Sequence, residues 1–400
     1  MPEDNSFRAF LCYDFFMERL IEKLDFLKSS GNFRTIKDIQ KRENKDIIFN
    51  GKKMLNLSSN DYLNLSTKED LRLEFLEKYS KTDSFLFSSA SARLLSGNLP
   101  CYNELEESFA KLFNKEKALL FNTGYQCNEG VISSLLSKDD CIFSDKLNHA
   151  SIVSGLKLSP AQHFRYKHLD YDNLEKFLKE KRHLYKNALI VSESVFSMDG
   201  DIADIKKLVE LKKKYDCLLM IDEAHAFGVF ADNLQGICAK ENLLNEIDII
   251  TITLGKSLAS MGAVCVSSEK VINYLINCAS SFIFSTAIAP VNVLWSNFLL
   301  NEKFEILINQ KEKLNKLFNE VHKIYPTISS SQIIPIIVGE AQKTKDLAQN
   351  LQQDGYFVMP INPPTVPVNT SRLRLSLGAD MNLEEIKIFL DKINEKLLDK

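Results

Sequence analysis

Two polar residues that close apolar, strand-like runs are the strongest candidates for chemistry in this sequence. Lys256 lies in TITLGKSLAS, between a β-branched run and a string of small residues, and Asp222 lies at the end of the apolar run in CLLMIDEAH. A buried ammonium group is costly unless it is paired, neutralised or consumed in a bond. Lys256 is therefore either a surface lysine at a helix start, with only its stem buried, or a residue that forms a covalent bond.

The letters around these residues also raise the possibility of a phosphate-loop ATPase of the DEAH-box kind. DEAH occupies residues 222–225 and GKS occupies residues 255–257. The phosphate loop requires G-x-x-x-x-G-K-[ST], but the position five residues before Gly255 is Ile250. In those ATPases the phosphate loop also precedes the acidic strand end, whereas here the acidic strand end comes first. Spacing and order both argue against this interpretation.

The combination of Asp222 and Lys256 fits pyridoxal phosphate, an aromatic aldehyde that a lysine can hold as a Schiff base. A carboxylate at the pyridine nitrogen keeps that nitrogen protonated through a charge-assisted hydrogen bond, which makes the ring an electron sink. A lysine near other cations in a dry pocket has a lowered pKa, so it can serve as nucleophile and then as base. We therefore predict that the two residues converge on this cofactor.

The elements that must bring these residues together are short strands that alternate with helices. From about residue 49 to residue 290, apolar runs such as KALLFNTG, NALIVSES and IDIITITLG recur, with helical patterns such as IKKLVELKKKY between several of them. This alternation predicts an α/β fold with a mostly parallel central sheet and helices on both faces. Ligands of such sheets bind at the carboxyl ends of the strands, where these runs finish in polar residues or glycine.

Helical patterns at both ends of the chain predict a second, smaller domain. The N-terminal pattern, as in MERLIEKLDFLK, is typical of a surface helix with one buried face, and the pattern after Pro290 is mostly helical around one strand-like run. We predict three parts: a helical segment at residues 1–48 that packs with the small domain, a large cofactor-binding α/β domain at residues 49–292, and a small α+β domain at residues 293–400.

Composition argues against several classes of protein. Of 400 residues 45% are hydrophobic and 26% charged, and the formal net charge is −3, which favours a globular protein without a nucleic-acid or membrane partner. The acidic N-terminus lacks the basic start of a signal peptide, and no stretch has the ~20 apolar residues of a membrane helix. The eight cysteines are scattered, without a C-x-x-C pair or a His/Cys cluster, which is typical of reduced thiols in a cytoplasmic protein and predicts no metal site.

An ordered set of motifs resembles the α-oxoamine synthase family of fold-type I pyridoxal-phosphate enzymes. In chain order, from Leu55 to Leu377, the motifs are LNLSSNDYLNLS, ARLLSGN, FNTGYQCN, DKLNHASI, ESVFSMDGD, IDEAHAFGV, TLGKSLAS, FIFSTAIAP and PPTVPVNTSRLRLSL. Each motif alone is weakly specific, whereas the ordered set is specific. The resemblance implies the fold-type I architecture, pyridoxal 5′-phosphate bound as a Schiff base to Lys256, and decarboxylative condensation of an amino acid with an acyl thioester.

The resemblance also assigns cofactor contacts. It implies catalytic roles for Lys256, Asp222 and His149, with His149 stacked on the pyridine ring. The other cofactor-binding residues that it implies are Gly124 and Tyr125 through their backbone amides, Thr253 through its hydroxyl, Ser197 and His225 at the phenolic oxygen, and Glu193 as a pocket acid. In the family, a threonine at the position of Thr286 reaches the phosphate of the neighbouring subunit, which implies a homodimer with sites at its interface.

The same resemblance assigns the substrate site. Asn60 and Thr365 match positions that line it, and Arg372 matches the residue that clamps the carboxylate of the amino acid. Arg374 would share a face with Arg372 in a strand, so only the motif match separates them. FIFSTAIAP and PPTVPVNTSRLR most resemble the biotin-pathway branch, which joins L-alanine to a pimeloyl thioester of coenzyme A or a carrier protein. The alternatives are a glycine/acetyl-CoA ligase, a serine palmitoyltransferase-like enzyme, a plain aminotransferase, and an inactive scaffold subunit, against which the presence of Lys256 argues.

Several positions depart from the usual pattern of the family. The departures are Asn64 in place of glycine, Tyr102 in place of histidine, Ser280 and Ser281 where Arg-Pro is common, Asn362 in place of arginine, and SSASARLL without its usual glycines. None of them belongs to the implied cofactor contacts. They concern recognition of the acyl group, because lost arginines mean fewer contacts to a phosphate or carboxylate.

Overall fold

The computed structural model describes the backbone of residues 5–398 and the side chains of residues 16–397. Its strands are β1 (Ile39–Glu43), β2 (Asp46–Phe49), β3 (Lys52–Asn56), β4 (Lys117–Phe121), β5 (Cys141–Asp145), β6 (Gln162–Tyr166), β7 (Ala188–Glu193), β8 (Leu218–Asp222), β9 (Ile249–Thr253), β10 (Ala263–Ser267), β11 (Ile333–Gly339), β12 (Tyr356–Phe357), β13 (Pro360–Ile361) and β14 (Ser371–Ser376). Its helices are α1 (Asn5–Ser29), α2 (Glu69–Tyr79), α3 (Pro100–Leu112), α4 (Gly124–Leu135), α5 (Ala150–Leu158), α6 (Tyr171–Lys181), α7 (Ile205–Lys214), α8 (Ile237–Lys240), α9 (Glu269–Cys278), α10 (Ser280–Ile283), α11 (Pro290–Glu302), α12 (Phe304–Ile324), α13 (Ala341–Gln353) and α14 (Leu383–Leu398). The described chain divides into two compact units, the first formed by residues 5–58 and 335–375 and the second by residues 59–334 and 376–398.

The second unit is built on a seven-stranded sheet with the order β4-β10-β9-β8-β7-β5-β6. Strands β5 to β9 run parallel to one another, and β10 is antiparallel to both β4 and β9. Every residue of β5, β7 and β10 is buried, as expected for strands covered on both faces. The predicted α/β fold with a mostly parallel sheet is confirmed.

An apolar core anchors helix α4 to this sheet. The core includes Phe121 at the end of β4, Val131 on α4, Ile152 on α5 and Val191 on β7, all of them buried. Burial of each such side chain stabilises the fold by ~1.5–3 kcal/mol. Because β10 is antiparallel to both of its neighbours, β4 runs in the same direction as β9. The first turn of α4 therefore lies at the carboxyl edge of the sheet.

The first unit is a smaller α+β assembly. Its four-stranded sheet has the order β1-β2-β3-β12, and most of the β11-β14-β13 sheet also belongs to it. A small core of Ile47, Phe49, Met54 and Phe357 lies on the four-stranded sheet, with the rings of Phe49 and Phe357 edge to face at 5.3 Å between centroids. The structure thus contains the smaller α+β part that the sequence predicts.

The domain boundaries after residues 48 and 292 stay a prediction, and the two units group the chain differently. Helices α11 and α12, assigned from the sequence to the small domain, fall in the second unit. There α11 packs against α3, and the side chain of Asn297 donates a hydrogen bond to the carbonyl oxygen of Cys101 at 3.0 Å. A helical pattern shows which face of a helix is apolar, but it does not show which sheet that face will cover.

Three general expectations concern membranes, metals and cysteines. Within residues 5–398, no helix combines the length and the apolar character needed to cross a bilayer. Among the side chains of residues 16–397, no group of three His, Cys, Asp or Glu could bind a metal ion. The cysteines with described side chains are free, and all of them except Cys278 are buried.

Candidate functional site

The candidate site lies at the carboxyl ends of three neighbouring strands. β7 ends at Glu193, β8 at Asp222 and β9 at Thr253. Glu193 pairs with Asp222 in the register of β7 and β8, and Asp222 pairs with Thr251 in the register of β8 and β9. Parallel pairing therefore places both buried carboxyl groups at one edge of the sheet, where ligands of such sheets bind.

Lys256 reaches this edge from the turn after β9. Its Nζ lies 2.7 Å from Nε2 of His225, which is buried in the turn after β8. The other ring nitrogen of His225, Nδ1, lies 2.6 Å from the hydroxyl of Tyr62, and that hydroxyl lies 3.3 Å from Oδ1 of Asn60. The structure thus brings three residues predicted from the sequence, Lys256, His225 and Asn60, into one hydrogen-bonded chain through Tyr62.

The carboxylate of Asp222 is held on both of its oxygens. Oδ1 accepts from the backbone amide of Ala224 at 2.9 Å, and Oδ2 accepts from Nδ2 of Asn128 at 2.7 Å. Asn128 lies on α4, one turn after Gly124. A buried carboxylate that accepts from two donors keeps one orientation. A fixed orientation is what a carboxylate needs in order to pair with a cationic group at a fixed position.

His149 and Glu193 form a second pair beside Asp222. His149 caps the N-terminus of α5, where its Nδ1 accepts from the amide of Ser151 at 3.2 Å and lies 2.8 Å from Oγ of Ser151. The amide of His149 donates to a carboxyl oxygen of Glu193.

Desolvation lowers the pKa of His149, although part of its surface stays exposed to solvent. Burial, and then the charge of Asp222, raises the pKa of Glu193 well above its usual range. Both shifts favour the uncharged forms.

The first turn of α4 forms a narrow polar cradle with Thr253. Thr123 caps the helix by accepting from the amide of Gln126 at 3.1 Å, so the preceding amides, those of Gly124 and Tyr125, are the donors at the positive end of the helix. A Cβ added to Gly124 would lie 2.7 Å from Oγ1 of Thr253. Glycine therefore lets the turn and this hydroxyl approach each other, an arrangement that suits a phosphate group.

Together these residues fit a cofactor that carries an aldehyde, an aromatic ring nitrogen and a phosphate. The amine of Lys256 is of the kind that can bond an aldehyde, the fixed carboxylate of Asp222 could pair with a protonated ring nitrogen, and the Gly124 cradle could hold a phosphate group. Asp222 ends β8, Lys256 follows the neighbouring strand β9, and Gly124 follows β4 at the same edge of the sheet.

Two further predicted cofactor residues lie nearby in the chain's second unit. Ser197 is buried in the loop that follows β7. Thr286 is exposed, forms an isolated bridge with Ala92, and accepts from Nδ2 of Asn122 at 2.7 Å through its carbonyl oxygen. The exposure of Thr286 leaves it accessible to a second subunit.

The predicted substrate residues other than Asn60 belong to the first unit. Arg372 is buried on β14, pairs with Ile361, and donates through Nε to the carbonyl oxygen of Thr370 at 3.0 Å. Thr365 is exposed, and its Oγ1 accepts from Nη2 of Arg34 at 3.2 Å. The structure thus places Arg34, which received no role from the motifs, in contact with Thr365, a predicted substrate-binding residue.

The structure explains three of the departures from the family pattern. Asn64 has a φ of +53°, a left-handed conformation that favours glycine and that asparagine tolerates, and its Oδ1 accepts from the amide of Asp380 at 3.0 Å. Tyr102 is fully buried, and its hydroxyl donates to the carbonyl oxygen of Ile288. Oγ of Ser281 donates to a backbone carbonyl oxygen of α4 at 2.8 Å. Each replacement therefore has a local structural role.

Sequence reasoning missed several residues that contact the site. Tyr62, Asn128 and Ser151 lie within the quoted motifs, but they received no role. The spacing of four residues between Gly124 and Asn128 places both on one face of α4, and this signal could have identified Asn128. Arg34 lies outside every motif, and the sequence around it gives no comparable signal.

Comparisons with known proteins cover nearly the whole chain. The family model that matches is "Aminotransferase class I and II", over residues 52–393. A protein of Haemophilus influenzae, provisionally named 8-amino-7-oxononanoate synthase, is 43% identical over 379 residues, which is 93% of this chain and 99% of the relative. A protein of Neisseria gonorrhoeae with the same provisional name is 43% identical over 374 residues, covering 92% of this chain and 98% of the relative.

Solved structures agree with these relatives. Serine palmitoyltransferase from S. paucimobilis, solved with a bound PLP-myriocin aldimine, has a TM-score of 0.83 and 25% identity, covering 93% of this chain and 95% of that chain. 8-Amino-7-oxononanoate synthase from Francisella tularensis has a TM-score of 0.69 and 28% identity, covering 86% of this chain and 98% of that chain.

Proposed function

Because this chain belongs to the aminotransferase class I and II family, and within it to the pyridoxal-phosphate-dependent α-oxoamine synthases, we propose that it condenses L-alanine with a pimeloyl thioester. The products would be 8-amino-7-oxononanoate, carbon dioxide and a free thiol of coenzyme A or a carrier protein, in biotin biosynthesis. The observation that carries this choice is the 43% identity, over 93% of the chain, to a relative with that provisional name.

We assign the attachment of pyridoxal phosphate to Lys256 and the phosphate site to the Gly124 cradle. When bound, the cofactor supplies an electron-withdrawing ring that accepts the electron pair released at the α-carbon. Asp222 would hold the proton on the ring nitrogen through a charge-assisted hydrogen bond, and its own two donors keep its carboxylate in place. His149, at the start of α5, would cover one face of the ring.

The amine of Lys256 is also the base that accepts the proton leaving the α-carbon of the amino acid. An amine can take that proton only when it is not already an ammonium ion, and His225 Nε2, 2.7 Å from Nζ, is positioned to accept a proton from it. The hydroxyl of Tyr62, 2.6 Å from the other ring nitrogen, holds the imidazole in place. Ser197 would hydrogen-bond the phenolic oxygen of the cofactor, and so would Nε2 of His225 whenever the amine of Lys256 does not occupy it.

Arginines would recognise the two carboxylates of the substrates. We assign the carboxylate of alanine to Arg372, whose planar guanidinium offers a two-point contact that lysine could not copy. A pimeloyl group ends in a second carboxylate, which needs a cation at the far end of the acyl site. Arg34 is the candidate, because its guanidinium is exposed and already donates to the hydroxyl of Thr365 at 3.2 Å.

The surface around Thr286 supports the proposal of a homodimer. Phe87, Leu95 and Phe284 are 80%, 82% and 84% exposed. They lie on two segments that are joined by the backbone bridge between Thr286 and Ala92. Apolar exposure of this kind is typical of a protein interface, and a second subunit that covers it would meet the predicted phosphate contact.

The test is a product assay with a matrix of substrates. The holoenzyme is incubated with L-alanine, glycine or L-serine, each with pimeloyl-CoA, acetyl-CoA or palmitoyl-CoA, and the products are identified by mass spectrometry. We expect 8-amino-7-oxononanoate from L-alanine and pimeloyl-CoA, and none from the Lys256→Ala variant. Borohydride reduction followed by peptide mapping should place the cofactor on residue 256, and a label on any other lysine would refute that assignment.

Two other outcomes of the assay would change the substrate. The TM-score of 0.83 to serine palmitoyltransferase favours L-serine with palmitoyl-CoA as the second candidate. A product from that pair, or from glycine and acetyl-CoA, with none from L-alanine and pimeloyl-CoA, would refute the proposed substrates and keep the reaction class. A protein that binds no cofactor and forms no product with any pair would instead support the scaffold-subunit alternative.

A further inference from the structure

One amide group joins two branches of the candidate site. Nδ2 of Asn128 lies 2.7 Å from Oδ2 of Asp222 and 3.0 Å from Oγ of Ser151. Oδ1 of Asn128 accepts from the hydroxyl of Thr251 at 2.9 Å. The side chain is 3% exposed, so its two N–H groups and its carbonyl oxygen find their partners inside the protein.

Each of these hydrogen bonds has a fixed direction. An ionised carboxylate only accepts, so it must face the NH₂ end of Asn128. The amide of Ser151 only donates, so its contact with Nδ1 of His149 at 3.2 Å makes that nitrogen an acceptor. The hydroxyl of Ser151 then donates to the same nitrogen at 2.8 Å, and its oxygen accepts from Asn128. A neutral His149 therefore carries its proton on Nε2.

We infer that Asn128 is a positioning residue that holds the carboxylate of Asp222 and, through Ser151, the imidazole of His149 with the two N–H groups of one amide. The inference rests on the proposed roles of Asp222 at the ring nitrogen and His149 at the ring face. Both branches share one rigid amide, so turning Asp222 would break a buried hydrogen bond and turning His149 would break a partly buried one. In the low-dielectric interior the bond to the charged carboxylate is the stronger of the two.

The experiment follows the pyridine nitrogen of the cofactor, independently of substrate. Each holoenzyme is loaded with pyridoxal phosphate labelled with ¹⁵N in the ring, and its ¹⁵N chemical shift reports the proton on that nitrogen. We expect Asn128→Ala to move the shift toward the unprotonated value and to lower kcat/KM by about tenfold to hundredfold, since a hydrogen bond to a charged group is lost. The matched control is Asn297→Ala, a buried asparagine that hydrogen-bonds Cys101 instead, which should leave the shift unchanged.

Further variants separate the branches. Ser151→Ala cuts only the His149 branch, so it should weaken cofactor binding without moving the ¹⁵N signal. Thr251→Val keeps the shape of the side chain and removes the hydroxyl that donates to Asn128. The ¹⁵N signal should therefore move toward the unprotonated value, by less than in Asn128→Ala. If Asn128→Ala does not fold, Thr251→Val decides. The inference would be overturned if the ¹⁵N signal did not move in Asn128→Ala or, should that variant not fold, in Thr251→Val. It would also be overturned if Asn297→Ala moved the signal as much as Asn128→Ala does. An unmoved signal in Asp222→Asn would instead refute the proposed role of Asp222.

Discussion

His168 lies between two carboxylates, which makes its charge testable. Nδ1 is 2.9 Å from Oδ1 of Asp145, and Nε2 is 2.8 Å from Oδ2 of Asp201. The imidazole also packs nearly perpendicular to the ring of Phe196, with 4.4 Å between the ring centroids. Burial opposes the charge, but the hydrogen bonds to Asp145 and Asp201 outweigh it and raise the pKa of His168 to about 10. We therefore expect an imidazolium that stays charged throughout the physiological range.

The sign and size of the effect on stability follow from this pKa. A group whose pKa is raised in the folded state stabilises it fully below the unfolded pKa, and that stabilisation is lost as pH rises through the folded pKa. At ~1.4 kcal/mol per pH unit, the rise from the usual 6.5 to about 10 corresponds to at most about 5 kcal/mol. The side chain is only 21% exposed, so solvent screens this interaction weakly.

The assay compares wild type with His168→Gln by urea unfolding between about pH 6 and pH 11. The difference in unfolding free energy should be largest below about pH 6.5 and should decline toward pH 10, while other titrating groups cancel. The control is His183→Gln, which removes a histidine at an exposed position, and a decline of the same size in that variant would count against the assignment to His168. In protein with ¹³C-labelled histidine, the resonance missing from His168→Gln should not titrate near neutral pH. Titration of that resonance near pH 6.5, or a difference independent of pH, would refute the reasoning.

Three shorter predictions concern the cradle, the subunit interface and a loop. Gly124→Ala would place a Cβ 2.7 Å from Oγ1 of Thr253, so the Kd for pyridoxal phosphate should rise at least about tenfold; an unchanged Kd in equilibrium dialysis would contradict the cradle. Mixed Lys256→Ala and Thr286→Ala subunits should recover about a quarter of wild-type activity, since half of random dimers are hybrids with one intact site; no recovery would argue that Thr286 serves its own subunit. Gly200 has a φ of +70°, and a Cβ added to it would overlap the backbone carbonyl oxygen of Ile333, so Gly200→Ala should lose about 2–4 kcal/mol of unfolding free energy. A loss within about 0.5 kcal/mol would show that this loop relaxes freely.

The sequence by itself determined the family, the fold class and the cofactor, and all three predictions are confirmed. The reason is that these features depend on local order. Apolar runs with polar ends predict parallel strands with a ligand edge, and the ordered motifs place Asp222 and Lys256 at two of those ends. The individual roles of the site residues, the substrates and the homodimer stay proposals.

Only the tertiary structure decided which distant side chains share a hydrogen bond. Asn128 and Asp222 are separated by 94 positions, and Arg34 and Thr365 by 331. No periodicity spans such separations, because the contact depends on how the strands are ordered in the sheet and on which way each side chain turns. The same holds for His168, which resembles any other loop histidine in the sequence. Its two carboxylate partners come from loops and strands that only the folded sheet brings together.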